Sequence, residues 1–190
     1  SGETPGMKPA RRCHLAVVVC LLFWTAVVQA FDIRDAGIRL MDGTFRMDAR
    51  IDFEFSEEAL EALDNGVPLT VVVEIRTEAA DGWFWQRPLA DHELRYEVRY
   101  HPLAGLYSVM DLDAGLQERF ATREAAFAML GTLRNLKVVS ERRLQDRTEY
   151  RVMLRAYLDI ESLPLPLRPR AYISRGWHLS TGWDQWRLPR

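Results

Sequence analysis

The chain has 190 residues with 25 basic and 27 acidic side chains, a near-neutral balance, and 48 % of it is hydrophobic. That balance excludes a generic polyanion binder and leaves enough apolar material for a folded core. Only two cysteines occur, Cys13 and Cys20, both near the start.

From Met7 the chain reads as a secretory signal. Lys8, Arg11 and Arg12 are basic, residues 13–28 carry no charge, and Val28-Gln29-Ala30 offers small residues where a signal peptidase reads. The expectation is a leader over 1–30, cleaved after Ala30, and a periplasmic domain over 31–190 that begins at Phe31. The rival is an uncleaved anchor, but the apolar run falls short of the roughly 18–20 residues of a spanning helix. Removing 1–30 takes away Lys8, Arg11, Arg12 and Glu3, so 25 basic against 27 acidic becomes 22 against 26, a net charge of −4. Both cysteines leave as well, which excludes a disulfide, a thiol nucleophile and thiolate metal ligands from the remaining domain.

Residues 33–41 read as a first strand, turned by Asp42-Gly43 into a longer one over 44–55. In that second strand Phe45, Met47, Ala49, Ile51, Phe53 and Phe55 fall on one side, and Arg46, Asp48, Arg50, Asp52 and Glu54 on the other. Successive strand side chains point to opposite faces, so one face is expected to be buried and the other solvated. Ser56 caps a short helix over 57–64, with Leu60 and Leu63 as its buried side and Asn65-Gly66 as its stop. A strand follows over 69–77, whose Val71, Val72 and Val73 predict contact on both faces. Asp81-Gly82 marks a turn before Trp83-Phe84-Trp85. A strand over 93–101 ends at Pro102, and Gly105 turns the chain into another over 106–112. Thr122 and Glu124 open a second helix whose apolar face is Ala126, Phe127, Leu130 and Leu133. Residues 136–140 and 150–160 are expected to form a hairpin joined by the charged segment 141–149. The proline-rich run 163–169 is excluded from any central strand. Residues 172–179 and a tryptophan-rich segment end the chain. Short strands at this spacing, with only two helices, predict a mainly β fold: an antiparallel two-sheet β-sandwich with two short helices, an open barrel being the alternative.

Asp48, Asp52 and Glu54 share one face and raise a metal site, but Arg46 and Arg50 are interleaved among them and cross-strand ion pairs account for the pattern. His92, His101 and His178 lack metal-motif spacing, and no nucleophile elbow, phosphate loop or dinucleotide fingerprint occurs. No catalytic residue, metal ligand or cofactor is nominated. A Ser-His-Asp set assembled from distant positions is the catalytic route left open. Tryptophan stands out instead, in two groups: Trp83 and Trp85, then Trp177, Trp183 and Trp186. Indoles combine apolar area with a polar N–H, so these are candidate contacts for a protein or a glycan, with burial in the core as the competing reading. Trp183 and Trp186, among Gly182, Asp184 and Gln185, are the best candidates for exposure. Arg168, Arg170 and Arg175 flank the prolines and are candidates to receive an acidic partner.

The run Asp159-Ile160-Glu161-Ser162-Leu163-Pro164, then Pro166-Leu167-Arg168-Pro169, Ala171-Tyr172 and the spaced Trp177, Trp183 and Trp186, resembles a proteobacterial exported family, domain of unknown function 4390. The resemblance covers the whole chain after residue 30 and brings no catalytic residues with it. It implies a Gram-negative periplasmic setting and, from gene neighbourhood, a membrane sensor histidine kinase as a signalling partner. The leading expectation is a non-enzymatic interaction module binding an envelope protein, such a kinase included. The alternatives are a module binding cell-wall glycan through its tryptophans, and a hydrolase without a recognisable motif. No nucleic-acid partner is expected, and membrane contact is expected only during export.

Overall fold

The computed structural model describes residues 2, 31–81 and 88–189. Apart from residue 2, the expected leader lies outside these residues, as do Trp83 and Trp85. β1 (Phe31–Met41) and β2 (Thr44–Phe53) form the expected hairpin. At its turn Asp42 and Gly43 both take positive φ, 49° and 68°, the backbone twist that a two-residue turn needs to match its strands. Phe45, Met47, Ala49, Ile51, Phe53 and Phe55 are each at most 8 % exposed, as the alternation predicts. On the opposite face Asp48 pairs with Arg39, and Asp52 with Arg34 at 2.7 Å. The carboxylates of β2 are therefore met by arginines of β1, not by Arg46 and Arg50 of their own strand.

α1 (Glu57–Asp64) starts at Ser56, whose Oγ accepts from the Ala59 N–H at 3.2 Å and donates to the Gly176 carbonyl at 2.7 Å. Ala59 and Leu63 are fully buried beneath it, with Leu60 half-buried. β3 (Leu69–Ala79), β4 (Ala90–His101), β5 (Leu106–Asp111) and β6 (Leu116–Phe120) follow as an antiparallel run. β6 escapes sequence reasoning because four of its five residues are exposed, which leaves no alternation to read. α2 (Arg123–Leu130) is capped by Thr122 and stops at Gly131, so Leu133 is buried from β7 (Thr132–Ser140) and not from a helix face. β8 (Tyr150–Leu158) and β9 (Asp184–Arg187) complete the strands.

One sheet has the order β1-β2-β7 and the other β6-β5-β4-β3-β8-β9. The fold is thus mainly β, two antiparallel sheets layered as a sandwich with a few short helices. The expected hairpin of β7 with β8 does not form: β7 pairs with β2, and β8 with β3 and β9. Segment 141–149 instead carries the chain from one layer to the other. Leu133, Val138 and Val139 of β7 and Val152, Leu154 and Ala156 of β8 then enter one shared core from opposite sheets. The proline run leads into a helix, α3 (Arg168–Ile173), with proline in its first turn, where the missing N–H costs nothing.

Candidate functional site

β3 lies in the middle of its sheet, with β4 on one edge and β8 on the other. Val71, Val73 and Ile75 face the core, so Val72, Glu74 and Arg76 face outward. Register sets Val72 beside Arg95 and Tyr157, Glu74 beside Glu93 and Arg155, and Arg76 beside Asp91 and Met153.

Glu74 is only 8 % exposed although it stands on the outer face. An ionised carboxylate withdrawn from water needs partners, and this one has three. Arg155 Nη2 approaches Oε2 at 2.9 Å, Arg76 Nη2 reaches the same oxygen at 3.5 Å, and the Tyr157 hydroxyl donates to Oε1 at 3.2 Å. Burial, reinforced by the Glu74 charge and this hydrogen bond, raises the Tyr157 pKa above the usual phenol value and keeps it a donor. Trp183, half-buried, covers both arginines: each guanidinium carbon lies 4.7 Å from its ring centroid.

Beside this cluster runs a groove of about 610 Å³, lined by Val72, Arg95, Arg155, Tyr157, Trp177 and His178 among others. Arg95 donates to Asp159 at 2.9 Å, which fixes its guanidinium along the groove. His178 Nδ1 lies 3.0 Å from the Ser174 carbonyl, so in the neutral ring Nδ1 carries the proton and Nε2 is the acceptor. Trp177 is 3 % exposed and its buried N–H meets no acceptor among the described residues, an arrangement that costs about 1–3 kcal/mol.

The described tryptophans therefore occupy three different settings. Trp177 belongs to the core and presents no open ring face. Trp186 is half-buried opposite Val152 and packs against the core edge. Trp183 alone lies over the outer face of the larger sheet. Arg168 is tied by its Nε–H to the Leu163 carbonyl at 2.7 Å, while Arg170 is exposed on α3, and neither lines the groove.

Glu74, Arg95, Arg155 and Tyr157 are residues that sequence reasoning passed over. The available signal was Glu74 itself, an acid inside the run of a strand expected to be covered on both sides. A second arrangement also escaped it. His101 Nε2 lies 2.9 Å from Ser108 Oγ, the one Ser–His side-chain bond among the described residues. Ser108 is 3 % exposed, and no described carboxylate bonds the other nitrogen of His101, so the geometry stops short of a triad. Among the described residues no group of three or more His, Cys, Asp or Glu is arranged to hold a metal, and no helix is long and apolar enough to cross a membrane.

No curated protein and no solved structure matches the chain. A family model does, over residues 28–187, a span that takes in every described strand and all three described tryptophans. The chain belongs to the family described as domain of unknown function DUF4390.

Proposed function

We propose that the domain is a non-enzymatic interaction module that receives an envelope protein on the outer face of β3 and β8. The observation that carries this reading is Trp183 seated over Arg76 and Arg155, next to the groove of Arg95 and Tyr157. Tryptophan, tyrosine and arginine dominate the energetics of protein contacts because they join large area to directed hydrogen bonds. Here ion pairs hold them in place before a partner arrives, so little ordering remains to be done on binding. The carboxylates of the site serve these arginines, Glu74 two of them and Asp159 one, which suits recognition better than proton transfer.

The basic, then apolar, then small-residue order of 7–30 supports a periplasmic address, and the family resemblance supports the ectodomain of a membrane sensor kinase as the partner. Immobilised protein should retain that ectodomain, and the Trp183→Ala and Arg95→Ala variants should lose it. Equal retention by wild type and both variants would overturn the assignment of this face. The groove lined by Tyr157, Arg95 and Arg155, with Trp183 over Arg155 beside it, also suits a sugar ring, a second reading. Binding of purified peptidoglycan fragments, lost in Trp183→Ala, would favour the glycan over the protein. For the address, intact mass of the exported protein should begin at Phe31; a chain keeping residues 13–28 in the membrane fraction would sink it.

A further inference from the structure

Residues 163–175 contain three arginines and no acid. Within them Leu165 is 71 % exposed, Tyr172 52 % and Ile173 86 %. A single exposed leucine is ordinary, but three large apolar side chains left in water between Leu165 and Ile173 favour a contact surface. The segment is firmly held. Ala171 and Leu163 are fully buried beneath it, Arg168 is bonded to the Leu163 carbonyl, and three prolines restrict the backbone.

The place of this patch is informative. Phe31 lies 4.7 Å from Phe53 and 5.2 Å from Phe55, ring centre to ring centre. The next residue, Ser56, donates to the Gly176 carbonyl at 2.7 Å, three positions beyond Ile173. The chain thus enters the domain at the end that carries Ile173. The uncharged run 13–28 stops just before Phe31, and three extended residues span at most roughly 10 Å. If the run is held in a bilayer, as the proposed export signal requires, this end of the sandwich is the one brought to the membrane.

The geometry points to a membrane-facing end, distinct from the groove on the outer sheet face. Leu165 and Ile173 enter the acyl boundary of a phospholipid surface, Tyr172 sits at headgroup level, and the exposed Arg170 and Arg175 pair with anionic headgroups. The neighbouring acids set its limits. Glu58, half-buried, accepts from Ser174, whereas Glu161, which accepts from Tyr172, and Glu57, Glu61 and Asp64 on α1 are exposed and repel an anionic surface. Contact is confined to residues 163–175, and is reversible and sensitive to salt. It extends beyond the transient contact expected of export, because the patch remains after the leader is removed.

The test uses residues 31–190, which contain every residue of the described core and all strand pairings. With vesicles of phosphatidylethanolamine and phosphatidylglycerol, the protein should co-sediment, and Leu165→Ser with Ile173→Ser should weaken binding by about tenfold or more. Leu165→Ser alone should give a smaller loss in the same direction. Arg170→Ala with Arg175→Ala should weaken binding and flatten its salt dependence. Leu40→Ser with Met41→Ser, exposed at the far end of β1, and Trp183→Ala beside the groove should bind as wild type does. Wild type left in the supernatant, or Leu165 and Ile173 variants that sediment undiminished, would overturn the proposal. So would loss of kinase-ectodomain binding, with vesicle binding kept, in those variants.

Discussion

Gly131 shows how tightly single positions are set. A Cβ there would lie 2.0 Å from the Ile51 carbonyl oxygen, and the Gly131 carbonyl accepts from the Ile51 N–H at 2.8 Å. The close approach joins the end of α2 to β2, and relieving the clash would break that bond. Gly131→Ala should therefore cost about 2 kcal/mol or more in chemical denaturation; a neutral result would mean that α2 can move off β2 freely. Neighbouring positions of β2 differ as sharply. Phe53 packs against Phe31 and Phe55, so Phe53→Ala should lose about 3–5 kcal/mol through the cavity it leaves. Asp52, paired with Arg34 at the surface, should lose only about 0.5 kcal/mol on change to alanine. Similar losses from the two would contradict the one-sided burial of this strand.

Among the elements, β9 shows a division of labour within four residues. Trp186 packs against the core opposite Val152, and Trp183, just before the strand, covers Arg76 and Arg155. Trp186→Ala should cost about 2 kcal/mol or more, since it removes a large side chain from the core edge. Trp183→Ala gives up cation–π contacts near the surface and should cost about 1 kcal/mol. Melting temperatures of the two variants compare these directly, and the reverse order would mean that Trp183 is the structural residue. The proline run preceding α3 was legible only as the absence of a strand. Its helical outcome depends on Leu163 and Ala171 reaching the core, which no local pattern announces.

For the whole molecule, three tyrosines tie stability to pH. Burial first, and nearby carboxylates second, raise the pKa of Tyr96, Tyr107 and Tyr157. A phenol whose pKa is higher in the folded chain than in the unfolded one contributes stability that is complete below the unfolded value and lost as pH rises through the folded one. Melting temperature should thus fall once the pH passes about 10, and Tyr157→Phe should soften the fall; a profile unchanged by that variant would remove Tyr157 from the account. The sequence by itself determined the strands whose apolar residues alternate, β2 and β8 above all, the caps at Ser56 and Thr122, and the Asp42-Gly43 hairpin, because each is specified by residues a few positions apart. It also placed the chain in a β-sandwich through the count of short strands. Only the tertiary structure decided that β7 and β8 belong to different sheets, since two alternating strands pair equally well with each other or across a core. Only it drew Glu74, Arg155, Tyr157 and Trp183 together from two strands and a tail. Those residues meet through cross-strand register and the return of the C-terminal segment over the sheet, and a register fixed by burial on the inner face leaves no mark among the outward residues it aligns.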